Sequence, residues 1–136
     1  MRVMLDTNVL ISGIIFSGPE RRLLKAIQED HVLVIDDFLL AEAMEVLARK
    51  FPGKEQLFNI LLRSFKFEKH PISPEEKIHE AAKYLRDPKD AAVLASVMLM
   101  NPDIFVSGDK DLHTPDVRTL AHVYTTKQAL MLLEKG

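Results

Sequence analysis

The chain has 136 residues, of which 47% are hydrophobic and 28% are charged, an ordinary balance for one globular domain with a buried core. Its 18 Lys and Arg against 20 Asp and Glu give a net charge of −2, so the chain has no overall basic field and any binding to nucleic acid must be local. The absence of cysteine excludes disulfides and thiolate metal sites. Without a signal-peptide pattern or an apolar run long enough to cross a bilayer, we expect one cytoplasmic domain over residues 1–136 and no membrane partner.

Short apolar runs alternate with amphipathic stretches along the whole chain. The runs predict strands at 2–6, 32–35, 66–70, 104–106 and 122–125. The amphipathic stretches predict helices at 8–15, 21–29, 38–50, 54–64, 74–85, 88–100 and 127–135. This alternation predicts an α/β sandwich around a mostly parallel central sheet.

Acidic residues follow the predicted strands at the edge where a parallel sheet binds ligands. Asp6 ends the first strand, and Asp109 and Asp111 follow the strand at 104–106 in the segment "SGDKDL". Ligands of such sheets lie outside the carboxyl ends of the strands, and because crossover helices begin there, acids in their first turns face the same edge. Helix capping or a turn would also account for each of these acids taken alone.

Two glutamates lie on the predicted helix 38–50, and they face in different directions. Glu42 lines up with Leu39 and Val46 at the margin of the apolar stripe. Glu45 lies farther round the helix and precedes Arg49 by one turn, which is the spacing of a surface ion pair. We therefore favour Glu42 for the site and Glu45 for the surface.

The segment "RDPKDAAVLA" and the end of the second strand contribute further aspartates. Asp87 before Pro88 fits a helix N-cap, whereas Asp90 leads a helix that is apolar on nearly every face and is expected to point towards the sheet edge. Asp36 and Asp37 follow the second strand and are expected only to cap the next helix.

Several carboxylates at one sheet edge require a compensating cation or protons. Two carboxylates about 4 Å apart repel each other by roughly 4 kcal/mol at an effective dielectric constant of about 20. Ligation by carboxylate oxygens alone suits Mg²⁺ or Mn²⁺. The five histidines form no closely spaced pair that would indicate zinc. The acids therefore predict a site for Mg²⁺ or Mn²⁺.

Four segments of the chain, "MLDTNVLIS", "LAEAMEVL", "DPKDAAVLA" and "SGDKDL", resemble the motifs of the PIN-domain family in order and spacing. The resemblance extends over essentially the whole chain. It implies a three-layer α/β/α sandwich and metal-dependent ribonuclease chemistry, often as the VapC-like toxin of a toxin–antitoxin pair. It also implies a homodimer, for which the apolar segment "LFNILLRSF" (57–65) is the expected contact.

The resemblance assigns roles to individual residues. The acidic quartet of the family matches Asp6, Glu42, Asp90 and Asp109, of which Asp6, Asp90 and Asp109 are the expected metal ligands. The supporting positions match Thr7, Asn8, Ser107 and, as an occasional fifth acid, Asp111. The chain departs from the family at Asp36 and Asp37, where relatives usually have a Ser or Thr cap.

The chain has no Ser–His or Cys–His arrangement, so we expect a metal to activate water for hydrolysis of RNA rather than a side-chain nucleophile. Local bases would guide the RNA, and the candidates are Lys110 beside the acids and Arg21, Arg22, Lys25, Arg49 and Lys50 elsewhere. A phosphatase with an aspartyl nucleophile needs a second acid where this chain has Asn8. A non-catalytic RNA- or protein-binding module that retains the metal site stays open, as does the choice between a toxin and a housekeeping nuclease.

Overall fold

The computed structural model describes residues 1–134. The strands are β1 (Arg2–Leu5), β2 (Val32–Asp36), β3 (Lys66–His70), β4 (Ile104–Val106) and β5 (Val123–Tyr124). The helices are α1 (Thr7–Ile15), α2 (Pro19–Asp30), α3 (Asp37–Lys50), α4 (Glu55–Arg63), α5 (Glu75–Ala82), α6 (Ala91–Met100), α7 (Pro115–Arg118) and α8 (Thr126–Leu133). Two 3-10 turns, Pro88–Asp90 and Lys110–Leu112, complete the regular structure of the described part.

The five strands form one sheet in the order β3-β2-β1-β4-β5, and every neighbouring pair is parallel. The chain moves across the sheet in one direction from β1 to β3 and in the other direction from β3 to β5. Because parallel crossovers are right-handed, this reversal places the crossover helices α1 to α4 on one face of the sheet and α5 to α7 on the other. The last helix, α8, follows the final strand and packs against α2 on the first face. The α/β/α sandwich with a parallel sheet is thereby confirmed.

The central strands and α6 are the most deeply buried parts of the fold. β1 and β4 are closed to solvent along nearly their whole length, as expected for strands covered by helices on both faces. Seven of the ten residues of α6 are buried, among them Ser96, which confirms that this helix lies inside the domain. Ala91 at the start of α6 and Asp90 directly before it are both buried.

The predicted strands and helices are all present, and the differences lie at their ends and in the short turns. The helix predicted at 74–85 stops at Ala82, and the helix predicted at 88–100 begins as a 3-10 turn that becomes α-helical at Ala91. The short helix α7 was not predicted, because four residues carry no helical periodicity. The end of the last predicted helix, Lys135, lies outside the described residues.

The segment 57–65, expected to be apolar and exposed, is divided between core and surface. Phe58 is 1% exposed, whereas Ile60 is 54% exposed and Leu57 38%. The exposed face of α4 is thus available for contact with another chain, and the homodimer stays a prediction. No helix within residues 1–134 combines the length and apolar character needed to cross a membrane.

Candidate metal-binding and active site

The acids of the sequence motifs meet at the carboxyl ends of β1 and β4. Asp6 is the first residue after β1, and its backbone N–H still donates to the carbonyl of Val106 at 2.9 Å. Ser107 follows β4 directly, and Asp109 comes two residues later. The two strands are neighbours in the sheet, so their ends lie side by side.

Asp6 is held by hydrogen bonds to both of its carboxylate oxygens. Its Oδ1 accepts from the backbone N–H of Thr7 at 2.8 Å, and its Oδ2 accepts from the hydroxyl of Ser107 at 2.8 Å. Burial raises the pKa of Asp6, and the nearby charges of Glu42 and Asp109 raise it further, although the two hydrogen bonds act in the opposite direction. Thr7 and Ser107 therefore orient Asp6 in the way expected of supporting residues.

Glu42 reaches the same site from α3. The hydroxyl of Thr7 donates to Glu42 Oε1, so one threonine contacts Asp6 through its backbone and Glu42 through its side chain. Glu45 is exposed, and its Oε1 accepts from Arg49 Nε at 2.9 Å across one turn of the helix. The structure thus places Glu42 in the cluster of acids and Glu45 in a surface ion pair at the rim.

Asp90 is the most buried acid of the cluster. It is 9% exposed, and its Oδ2 is fully buried without a hydrogen-bond partner among the described residues. Burial raises its pKa to about 6, and the neighbouring carboxylate of Asp109 contributes to this rise. Asp87 is the N-cap of the 3-10 turn Pro88–Asp90, as expected, and its Oδ1 accepts from the backbone N–H of Lys89 at 3.1 Å.

The turn "SGDKDL" gives Asp109 and Asp111 fixed positions. The backbone N–H of Asp109 donates to the Ser107 hydroxyl at 3.0 Å, and Asp109 Oδ1 accepts from the backbone N–H of Asp111 at 2.9 Å. Asp111 also accepts from Arg86 Nη2 at 2.8 Å. The turn therefore caps its own 3-10 segment and also brings two carboxylates to the sheet edge.

Asp90, Asp109 and Asp111 can supply the ligands of one metal ion. One carboxylate oxygen from each of them lies within 4.8 Å of the others. Asp90 also has the buried, unpartnered Oδ2, and a buried carboxylate oxygen without a donor is costly unless a cation or a proton compensates it. An all-oxygen donor set of this kind suits Mg²⁺ or Mn²⁺.

The grouping of the acids differs in one respect from the ligand set expected from the resemblance. Asp111, expected to be a supporting residue, is a member of the trio, whereas Asp6 is not. Asp6 lies beside it, lining the same clefts as Asp109 with its carboxylate already bound to Thr7 and Ser107. Sequence spacing alone does not distinguish these two arrangements, because Asp6 and Asp111 approach from different strand ends.

Two adjoining clefts open at the acids. The narrower cleft, of about 290 Å³, is lined by Thr7, Glu42, Glu45, Arg49 and Asp90 among others. The wider, of about 500 Å³, extends past Ser12, Glu20, Gly108 and Thr126. The four shared residues are Asp6, Asn8, Lys89 and Asp109. Because they share these residues, the two clefts adjoin, and the acids lie at the junction of the groove that the clefts form together.

The cations at the clefts differ from those predicted from the sequence: one that lines both clefts was not predicted, and several that were predicted lie elsewhere. Lys89 lines both clefts, although only the aspartates of the motif "DPKDAAVLA" were predicted to have a role. Arg21 donates to the backbone carbonyls of Gly13 and Ile14, and Arg22 pairs with Glu134 at 2.6 Å. The three lysines expected as candidates, Lys25, Lys50 and Lys110, are exposed and line neither cleft.

Asp36 does more than cap a helix. Its Oδ1 accepts from the backbone N–H of Leu39 at 2.9 Å, which confirms the cap, and its Oδ2 accepts from the hydroxyl of Ser96 on α6. Asp36 and Ser96 are each 1% exposed. This buried pair joins the start of α3, which carries Glu42, to α6, which follows Asp90. The capping prediction could not include Ser96, because the two residues are sixty positions apart in sequence.

Comparison with known structures places this arrangement in a known fold. VapBC2 from Rickettsia felis bound to a DNA fragment from their promoter gives a TM-score of 0.68 at 15% identity, covering 92% of this chain and 98% of the other. PAE2754 from Pyrobaculum aerophilum gives a TM-score of 0.69 at 12% identity, covering 100% of this chain and 97% of the other. FitAcB from Neisseria gonorrhoeae gives a TM-score of 0.62 at 20% identity, covering 92% of this chain and 98% of the other.

At the sequence level, no curated protein gave a significant match. The family model of the PIN domain matches residues 2–111, which is most of the chain and includes every acid of the cluster. The matched region runs from β1 through the turn that holds Asp109 and Asp111. The chain belongs to the PIN-domain family.

Proposed function

We propose that residues 1–136 form a single PIN-like nuclease domain that acts as a Mg²⁺- or Mn²⁺-dependent endoribonuclease. The observation that carries the proposal is the buried, unpartnered Oδ2 of Asp90 beside the carboxylates of Asp109 and Asp111. A cation at these oxygens would remove both the repulsion among the acids and the cost of the orphaned oxygen. Membership of the PIN family supports nuclease chemistry at this site.

Asp90, Asp109 and Asp111 would hold the metal, with Asp6 beside them. A bound divalent cation supplies a water of lowered pKa and stabilises negative charge on a phosphate oxygen. Thr7 and Ser107 keep Asp6 in a fixed orientation, which avoids reorganisation when substrate binds. We propose that Glu42 accepts a proton from water, a role supported by its hydrogen bond from Thr7 and its position in the lining of the narrow cleft.

The groove supports cleavage within a chain rather than removal of end nucleotides. The two clefts meet at Asp6 and Asp109, and we propose that nucleotides before and after the scissile bond occupy one cleft each. RNA with both ends blocked, for example a circular RNA, tests this point. We expect it to be cut when Mn²⁺ or Mg²⁺ is present and to stay intact in EDTA. Intact circular RNA with simultaneous trimming of linear RNA would contradict the endonuclease assignment.

The fold neighbours support a biological setting for this activity. Structures of VapBC2 and FitAcB are among them, and the resemblance of the sequence to VapC-like toxins points the same way. We propose that the protein acts in the cytoplasm as a homodimer and that an antitoxin protein controls it. Growth arrest on induced expression, relieved by Asp6→Asn, would support the toxin role, and unaffected growth with full RNA cleavage in vitro would favour RNA processing.

A further inference from the structure

We propose that Lys89 binds a backbone phosphate of RNA at the junction of the two clefts, so that it sets the position of the strand over the acids. The proposal rests on the proposed function, because it assumes that the groove takes an RNA strand. It concerns a residue that the acidic quartet and its supporting positions do not include.

The acids that line the groove repel the phosphates of an RNA strand. Asp6, Glu42, Asp90 and Asp109 all line the narrow cleft, and RNA carries a negative charge on every phosphate. A metal among the acids would compensate them, and a lysine or arginine that contacts a phosphate beside the scissile bond would add affinity by releasing the counterions of that phosphate. Within the described residues, the cations that line these clefts are Lys89 and Arg49.

Lys89 is the better placed of these two cations. Arg49 lines only the narrow cleft, and its Nε donates to Glu45 at 2.9 Å. Lys89 lines both clefts, so it lies where they join and beside Asp6, Asn8 and Asp109. A strand that passes from one cleft to the other therefore passes Lys89.

The backbone of Lys89 is fixed while its ammonium group is free to change partners. Its N–H donates to Asp87 Oδ1 at 3.1 Å, and it lies in the 3-10 turn that leads directly to Asp90. Its Nζ is 3.7 Å from Asp87 Oδ2, and the two side chains are 71% and 41% exposed. Exposed ion pairs of this length contribute little to stability. Exchange of Asp87 for a phosphate oxygen is therefore easy.

The chemistry of lysine suits this task. An ammonium group on a flexible stem is a point charge that contacts a phosphate oxygen without a fixed geometry. Such a contact recognises the backbone and not the base, so it positions the strand without selecting a sequence. Loss of Lys89 should therefore weaken binding of every RNA sequence by a similar factor.

The test measures binding of a fluorescently labelled single-stranded RNA by anisotropy, with Mn²⁺ present and Asp6→Asn as the background to prevent cleavage. In this background we expect Lys89→Ala to raise Kd about tenfold, which corresponds to the loss of one charge-assisted contact. The slope of log Kd against log salt should fall by about 0.7. Lys89→Arg should retain most of the affinity. Lys83 is an exposed lysine at the end of α5 that lines neither cleft, so it is the matched control. Adding Lys83→Ala to the Asp6→Asn protein should leave Kd unchanged.

Cleavage kinetics of the otherwise unchanged protein separate this inference from the function on which it rests. Lys89→Ala should raise KM with little change in kcat, because the contact holds the strand before and during the reaction. Equal binding and equal salt slopes for the Lys89→Ala and Lys83→Ala proteins would overturn the inference, even if the protein cleaves RNA. Binding that depends on Lys89, in a wild-type protein that cleaves no RNA, would uphold the inference and overturn the nuclease activity.

Discussion

Replacing Asp90 by asparagine should make the metal-free protein more stable at neutral pH. Burial and the neighbouring Asp109 raise the pKa of Asp90 from 3.8 to about 6. A group whose pKa is raised in the folded state stabilises that state when protonated, and the stabilisation is lost as pH rises through the folded-state pKa. Without metal, the contribution of Asp90 should therefore be fully present below pH 4 and disappear as the pH passes about 6.

The size of the effect follows from this difference in pKa. A tenfold change in a proton dissociation constant corresponds to about 1.4 kcal/mol, which gives an upper limit of about 3 kcal/mol for the change at Asp90. Solvent in the adjoining cleft screens the charges, and Asp109 shares the coupling, so we expect about 1 to 2 kcal/mol. For a chain of this length, that corresponds to a rise in Tm of about 4 to 8 °C. Asp90→Asn removes the repulsion because the amide of asparagine carries no charge and can donate to Asp109.

Thermal melts in EDTA at several values between pH 5 and pH 8 test this reasoning. The Tm of Asp90→Asn should exceed that of the wild type at pH 8, and the difference should shrink towards pH 5. Asp87→Asn is the matched control, because asparagine caps as well as aspartate and the position is only three residues away. Its difference from the wild type should change little with pH. A Tm of Asp90→Asn below that of the wild type at pH 8 would refute the assignment of Asp90 as an uncompensated buried acid.

Three further variants test separate parts of the site. Glu42→Gln should lower the rate of RNA cleavage by about tenfold or more, whereas Glu45→Gln should lose only a surface pair; the opposite ranking would mean that the wrong face of α3 was chosen. Asp109→Asn should reduce the rise in Tm that Mn²⁺ produces, and equal rises in this variant and the wild type would exclude Asp109 as a ligand. Ser96→Ala leaves Asp36 buried with one fewer donor and should cost about 1 to 3 kcal/mol in urea unfolding, against little for the exposed Ser64→Ala.

The meeting of the acids could be predicted from sequence because it depends on general rules. Asp6 and Asp109 follow buried apolar runs, and parallel strands end at a common edge, so their proximity needs no knowledge of side-chain contacts. The choice of Glu42 over Glu45 follows from helical periodicity and from the spacing to Arg49, which the structure shows as an ion pair. Local pattern and topology were sufficient for these residues.

The residues that were missed depend on contacts that no local pattern encodes. Ser96 is one small polar residue in an apolar helix, and its role appears only when α6 packs against the end of β2. The function proposed for Lys89 depends on two clefts whose walls come from distant segments of the chain. That Asp111 lies in one trio of carboxylates with Asp90 and Asp109, and Asp6 beside it, depends on side-chain directions at two turns. Tertiary geometry decides each of these points.

The most direct test of the account is cleavage of RNA by purified protein with Mn²⁺, comparing the wild type with Asp6→Asn. Asp6 is the acid that accepts hydrogen bonds from Thr7 and Ser107, and its replacement removes charge from a crowded cluster without removing core packing. We expect the wild type to cleave only with added metal, and Asp6→Asn to be inactive while melting at the same or a higher temperature in EDTA. Cleavage by Asp6→Asn at the wild-type rate, or by the wild type in EDTA, would contradict the central claim that these acids form a metal-dependent ribonuclease site.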